Sequence, residues 1–118
     1  PPSQKIGRAG EYLAASYLIR NWMKYLNNTA SRYDFLAIFN DNPYKIQVKT
    51  TAAKFDHHSS DWVRWDINKK VNKKKKTYSA EEVDIFAFVY LPLNIVEFIP
   101  NYKLGKTYQK KVEYLEEV

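Results

Sequence analysis

The first part of the chain has the residue spacing of a helix that packs closely against a neighbouring layer. From Ser3 to about Asn21, apolar residues recur every three or four positions, and Ser3 could cap the start of the helix. Glu11 lies at the border of the apolar face, where its carboxylate can lean over the edge of the packed surface or remain an ordinary surface acid. Four small residues would allow a close approach to a sheet, namely Gly7, Gly10, Ala14 and Ala15.

Alternating apolar and polar residues predict two strands after this helix. Residues 22–26 alternate well enough for a short first strand, and residues 33–39 follow as the second. A period of two places Asp34 on the same side as Leu36 and Ile38. A carboxylate among large aliphatic side chains is unfavourable unless it is paired, hydrogen-bonded or bound to a metal, so Asp34 is a candidate functional residue.

A turn and a third strand complete the predicted hairpin. The turn occupies residues 40–43, because Asn and Asp tolerate turn conformations and Pro43 is not expected to continue a strand ladder. In residues 44–51 the polar face carries Lys45, Gln47, Lys49 and Thr51. Ile46, Val48 and Thr50 share the opposite face. The hairpin therefore presents Asp34, Gln47 and Lys49 as candidate functional side chains.

The second half of the chain predicts a sheet and a closing helix. Residues 62–67 resemble a strand, and the almost continuously apolar run 84–91 is typical of a central strand covered on both faces. Residues 95–99 form its predicted partner, and residues 105–118 have the spacing of an amphipathic helix. We expect an α/β fold in which an N-terminal and a C-terminal helix flank a mixed central β-sheet.

Composition limits the class of protein. The chain has 118 residues, of which 45% are hydrophobic, which favours a single domain spanning residues 1–118. No apolar run reaches the roughly 20 residues that cross a bilayer, so we expect a soluble, intracellular protein without a membrane partner. The absence of cysteine excludes a disulfide framework and any thiolate metal site.

The net charge of +6 lies in one short segment. Six lysines, equal to the whole excess of basic over acidic residues, occur there without an intervening acid: Lys69, Lys70, Lys73, Lys74, Lys75 and Lys76. We interpret the segment as a loop that binds the phosphate backbone of DNA, because each lysine that neutralises a phosphate releases a counterion. A solvated loop that keeps the protein soluble is the alternative.

Glu11, Asp34, Gln47 and Lys49 together suggest metal-assisted phosphodiester hydrolysis. A divalent cation can polarise the phosphate and lower the pKa of an attacking water, and Mg²⁺ takes oxygen ligands. Asp34, the Gln47 amide and the main-chain carbonyl of Val48 could bind the metal, with Glu11 contributing directly or through water. Lys49 could position the water or offset the charge that develops on the phosphate.

The same residues resemble the PD-(D/E)xK nuclease superfamily. The resemblance rests on the order of three short motifs, which are residues 5–15, residues 33–36 and residues 46–50. Gln47 follows Asp34 by thirteen positions, as in the hairpin of that superfamily, and the later apolar strands extend the likeness over most of the chain. The resemblance, which includes small endonucleases and Holliday-junction resolvases, implies a restriction-endonuclease-like core, a Mg²⁺ cofactor with Mn²⁺ as a substitute, and DNA as substrate.

One position departs from that pattern. The superfamily usually has Glu or Asp two residues before the lysine, whereas this chain has Gln47. A similar Gln-x-Lys variant occurs in some members, including a bacterial intron-encoded homing endonuclease. The alternative is a catalytically inactive module that retains the fold and binds nucleic acid. Because one active site cuts one strand, duplex cleavage would imply a homodimer or a higher oligomer.

Other conspicuous residues have weaker signals. His57 and His58 are adjacent and have no third ligand at metal spacing, so we interpret them as a surface pair. Trp62 and Trp65 could stack on bases, but we favour a place in the core.

Overall fold

The structure is a computed structural model that describes residues 2–21, 24–27, 33–52, 62–71, 74–76, 78–79, 81–103 and 105–115. Its helix is α1 (Pro2–Asn21), and its strands are β1 (Lys24–Asn27), β2 (Phe35–Phe39), β3 (Asn42–Thr51), β4 (Trp62–Asp66), β5 (Lys69–Val71), β6 (Lys74–Lys76), β7 (Ile85–Tyr90), β8 (Ile95–Pro100) and β9 (Thr107–Lys111). Short 3-10 helices occupy Leu91–Leu93, Asn101–Lys103 and Val112–Tyr114. None of the helices in these ranges is long and apolar enough to cross a membrane.

A mixed sheet forms the centre of the fold. Among the described residues its strand order is β1-β2-β3-β7-β8, with β3 in the middle. Strand β3 runs antiparallel to β2 and parallel to β7, whereas β7 and β8 are antiparallel. The predicted α/β class, the mixed sheet, the N-terminal helix and the central place of the hairpin are confirmed.

Helix α1 covers one face of this sheet. Ala14, Ala15 and Leu18 are buried against inward-facing residues of the sheet that include Ile46 and Val48. The helix lies very close to β3 at Gly10, because a Cβ added there would lie 2.7 Å from the Cβ of Thr50 and would also collide with its hydroxyl oxygen. The small residues of α1 thus hold the helix directly against β3.

Strands β4 and β9 pair with each other and cover the opposite face. Their core contacts are aromatic: the rings of Phe88 and Tyr108 stack with centroids 4.5 Å apart, and Trp65 lies 5.4 Å from Phe88. Trp65 is buried and donates a hydrogen bond from Nε1 to the carbonyl of Val89 at 3.0 Å. The interpretation of Trp65 as a core residue is confirmed, whereas Trp62 is only half-buried.

The predicted C-terminal helix is wrong. Residues Thr107–Lys111 form β9, which pairs with β4 and is followed by the 3-10 helix Val112–Tyr114. The strand is favoured over a helix because the strand period of two places Tyr108 and Lys110 on the inner face. There both side chains contact the buried carboxylate of Glu97. Tertiary contacts therefore override the helical spacing of the apolar residues.

The predicted turn at residues 40–43 is shorter than expected. Asn40 and Asp41 form a two-residue turn with φ of 50° and 65°, and Phe39 pairs with Asn42. Pro43 lies inside β3 opposite Ile38, contrary to the expectation that it would interrupt the ladder. Its missing N–H is tolerated because Pro43 precedes the part of β3 that pairs with β7.

The lysine segment is not a loop throughout. Strands β5 and β6 form an antiparallel ribbon, here called the lysine ribbon, in which Lys69 pairs with Lys76, Lys70 with Lys75 and Val71 with Lys74. Lys74 is exposed, while Lys73 and the side chains of the other four lysines lie outside the described part of the chain, as do His57 and His58.

Candidate active site

A cleft opens where β2 and β3 separate. The described ladder between these strands ends at the pair Phe35–Ile46, whereas β3 continues to Thr51 alongside β7. The first half of α1 lies over this segment, and the cleft between them has a volume of about 480 Å³. Its lining includes all four candidate catalytic residues, Glu11, Asp34, Gln47 and Lys49.

Asp34 lines the cleft and is hydrogen-bonded to β3. Its carboxylate oxygen Oδ2 accepts a hydrogen bond from the N–H of Val48 at 2.8 Å, and its own N–H donates to the carbonyl of Ile46 at 2.8 Å. The bond from Val48 gives the partly buried carboxylate a hydrogen-bond donor. It also orients Val48, because the N–H and C=O of one strand residue point to the same edge. The Val48 carbonyl is therefore directed to the side of β3 where Asp34 lies.

Glu11 reaches the cleft from α1, one position after Gly10, which packs against Thr50 of β3. Burial raises the pKa of the Glu11 carboxyl, and the negative charge of Asp34 and a hydrogen bond with Asp34 raise it further, while Arg8 opposes the shift. The raised pKa thus reflects the burial of Glu11 first and its contact with a second carboxyl group next. The prediction that Glu11 and Asp34 would come together is consistent with this contact.

Gln47 and Lys49 project from the same face of β3, and both are half-buried. Burial lowers the pKa of the Lys49 ammonium group, whereas the negative charges of Asp34 and Asp66 act in the opposite direction. The Lys49 Nζ donates a hydrogen bond to the hydroxyl of Tyr78 at 3.1 Å. Lys49 is thus a partly desolvated cation beside the carboxyl pair.

The donor atoms of the cleft are suited to a hard cation. Among the described residues there is no group of three or more His, Cys, Asp and Glu side chains that could hold a metal. The cleft instead offers two carboxylates, the Gln47 amide and the Val48 carbonyl, which are all oxygen donors of the kind Mg²⁺ prefers. A cation between Glu11 and Asp34 would also offset the repulsion that raises the pKa of Glu11.

Two threonines complete the lining next to Lys49. Thr50 and Thr51 are half-buried in the cleft wall, and Thr50 is also the residue against which Gly10 packs. From the sequence, these threonines could either favour the strand or bind a phosphate through their hydroxyls. Thr50 has a structural role in either case, because Gly10 of the helix packs against it. Tyr78 is a contact of Lys49 that the sequence pattern did not indicate, because a single tyrosine after a lysine run has no recognisable spacing.

Comparison with known proteins identifies the fold. The sequence matches no protein-family model and no curated protein. Its structure is similar to that of the bacterial homing endonuclease I-Ssp6803I, with a TM-score of 0.78 over 93% of this chain and 78% of the other, at 15% sequence identity. The chain therefore has the fold of a nuclease of that kind.

Proposed function

We propose that this protein is a metal-dependent DNA endonuclease with a PD-(D/E)xK type of site. The observation that carries the proposal is the convergence of Glu11, Asp34, Gln47 and Lys49 on one cleft. The similarity of the fold to that of a homing endonuclease also supports the proposal. In this chain the fold places the helix α1 and the β2–β3 hairpin beside the cleft. The Gln-x-Lys order at Gln47 and Lys49 supports it further.

Each residue has a role in hydrolysis of a phosphodiester. Asp34, the Gln47 amide and the Val48 carbonyl would hold the cation, and Glu11 would contact it directly or through water. Bound Mg²⁺ would neutralise phosphate charge and lower the pKa of a water molecule. Lys49, held beside Asp34, would orient the attacking water or stabilise the negative charge that grows as the bond from phosphorus to the leaving oxygen breaks.

The lysine ribbon supplies a surface for duplex DNA. A two-stranded ribbon fits the major groove, and lysines neutralise phosphates. Replacing the six lysines with glutamine should flatten the salt dependence of DNA binding, by about 0.9 in the log–log slope for each phosphate that a lysine no longer neutralises. An unchanged slope would remove the ribbon from the interface. Cutting both strands then requires a homodimer or larger assembly of this chain.

The second candidate is a nucleic-acid-binding module without catalysis. Gln47 favours it, because the amide contributes no negative charge and weakens attraction of a cation. Both candidates predict DNA binding, so binding alone does not separate them.

Nicking of supercoiled plasmid, of a four-way junction and of an intron-insertion duplex separates the candidates. The parent should nick at least one substrate with Mg²⁺ or Mn²⁺ and none with EDTA. Asp34→Asn and Lys49→Met should lower the rate by about 100-fold or more, a typical cost of losing a group that stabilises the transition state. Asp41→Asn, in the exposed turn, and Lys106→Met, at an exposed position outside the cleft lining, are the matched controls and should retain activity.

If the parent binds all three substrates and nicks none of them, the protein is a binding module. If Asp34→Asn and Lys49→Met nick as fast as the controls, the cleft is not the active site.

A further inference from the structure

Tyr78 lies where it can control the direction of the Lys49 side chain. The Lys49 Nζ donates to the Tyr78 hydroxyl at 3.1 Å and lies 5.0 Å from the centroid of the Tyr78 ring. A lysine side chain has four rotatable bonds, so a partly buried lysine without a fixed partner would sample several directions. The Tyr78 hydroxyl is thus an acceptor for Lys49, with the ring of the same residue close by.

The ring of Tyr78 is itself held by a packing contact. It packs edge-on against Phe86, with centroids 5.3 Å apart and an interplanar angle of 75°. Phe86 is fully buried in β7 and pairs in register with Gln47 of β3. The tyrosine ring therefore packs against the paired strands β3 and β7, and β3 carries Gln47 and Lys49 of the candidate site.

The main chain around Tyr78 is also fixed. The side-chain amide of Asn101 donates to the carbonyl of Ser79 at 3.1 Å and to that of Val83 at 2.9 Å, with a longer contact of 3.5 Å to the carbonyl of Tyr78. Ser79 and Glu82 exchange side-chain to main-chain hydrogen bonds of 3.2 and 3.3 Å, as in a capping box. Such a set of bonds makes the segment after the lysine ribbon a rigid support.

We propose that Tyr78 is a positioning residue for the hydrolytic reaction, which fixes the direction of the Lys49 ammonium group through the hydrogen bond to its hydroxyl. This inference rests on the proposed function for its kinetic consequence and on the geometry for the contact itself. Tyr78 is not among the residues that line the cleft, so it would act through Lys49. Its loss should therefore slow the reaction without weakening the binding of DNA.

The test compares Tyr78→Phe, Tyr78→Leu and the control Tyr102→Phe, whose tyrosine is 81% exposed. Tyr78→Phe keeps the ring on Phe86 and removes the hydroxyl, so the fold is retained. We expect kcat for Mg²⁺-dependent nicking to fall about tenfold with KM for DNA changed less than about twofold, and to fall further in Tyr78→Leu. A merely structural role would lower thermal stability and leave this separation of kcat from KM absent.

Nitrogen-15 NMR of the lysine ammonium groups provides the second readout and requires no activity. The Lys49 resonance, assigned with Lys49→Arg, should shift or broaden in Tyr78→Phe and stay unchanged in Tyr102→Phe. A parent that nicks DNA together with a Tyr78→Phe variant of equal kcat overturns this inference alone. A parent that never nicks overturns the proposed function, and the contact with Lys49 then stands or falls on whether the ammonium resonance responds to Tyr78→Phe.

Discussion

Two partly or fully buried carboxylate sites in this small domain have opposite surroundings. On the β4–β9 side, Glu97 is 6% exposed and accepts hydrogen bonds from the Tyr108 hydroxyl at 2.6 Å and from the Lys110 ammonium at 3.1 Å. On the α1 side, burial raises the pKa of Glu11, and the contact with Asp34 raises it further. Glu97 meets a hydroxyl donor and a cation, whereas the cleft brings two carboxyl groups together beside the ammonium group of Lys49.

This difference supports the proposed location of the active site. Groups with shifted pKa values concentrate at functional sites, and a divalent cation is the simplest ligand that would relieve repulsion between two carboxylates. The charge of Glu97 is balanced by Lys110, so this carboxylate has no need of a bound cation. In the proposed function, a bound divalent cation would add to the positive charge that Lys49 already places beside these carboxyl groups.

The largest expected effect comes from moving α1, which alters the cleft and leaves Glu97 in place. Gly10→Ala would drive a Cβ into Thr50, and such overpacking costs about 1–3 kcal/mol. Gly7→Ala is the matched control, because nothing lies within 4 Å of a Cβ there and alanine favours the helix by about 1 kcal/mol. In urea unfolding, Gly10→Ala should be less stable than the parent and Gly7→Ala more stable. Their free energies of unfolding should differ by about 3 kcal/mol.

Gly10→Ala should also lower nicking, because Glu11 follows Gly10 on the helix. If Gly10→Ala is as stable as Gly7→Ala and nicks at the parent rate, the close approach of α1 does not position Glu11.

Next in size is the removal of the charge from Glu97. Glu97→Gln keeps an acceptor for Tyr108 but loses the charge-assisted bond from Lys110, and hydrogen bonds to charged groups contribute about 1.5–3 kcal/mol. The free energy of unfolding should fall by about 2 kcal/mol while the rate of nicking stays at the parent value. A loss of nicking without a loss of stability would mean that the two carboxylate sites have been assigned the wrong roles.

The same substitution at Glu11 should have the smallest effect on stability and the opposite sign. Because the folded pKa of Glu11 is raised, the native state binds more protons than the unfolded state, and stability falls as pH rises from the ordinary value of 4.5 through the folded pKa. Without metal, Glu11→Gln should therefore be more stable than the parent at neutral pH, by about 0.5 kcal/mol in this solvent-screened cleft.

Thermal unfolding with and without Mg²⁺ measures this prediction directly. The advantage of Glu11→Gln should vanish below about pH 4, where the carboxyl is protonated in both states. Added Mg²⁺ should raise the melting temperature of the parent more than that of Glu11→Gln. A Glu11→Gln protein that is less stable than the parent at neutral pH without metal would contradict the proposed strain.

Short-range patterns predicted much of this structure. The helical spacing of small residues indicated both α1 and its close packing, and the period of two placed Gln47 and Lys49 on one face of β3. Asp34 was a candidate because an acid among aliphatics needs a partner, and the structure supplies one in the Val48 N–H. Local spacing was sufficient for candidate residues that are neighbours within one hairpin.

Contacts between distant segments were not predictable. The apolar residues of 105–118 fit a helix, but pairing with β4 and the bonds to Glu97 make residues 107–111 a strand. The lysine run carried no alternation from which its ribbon could be inferred. Tyr78 meets Lys49 across a separation of 29 residues, and a lone tyrosine has no pattern that announces such a contact.

The most direct test of the central claim is an anomalous difference map from a crystal of this protein soaked with Mn²⁺. The proposed site predicts a peak bound by Asp34 and the Gln47 amide oxygen, with Glu11 in contact directly or through water, and predicts that Asp34→Asn removes it. A map without density at these oxygens, at a Mn²⁺ concentration that supports nicking, would contradict a metal site in this cleft.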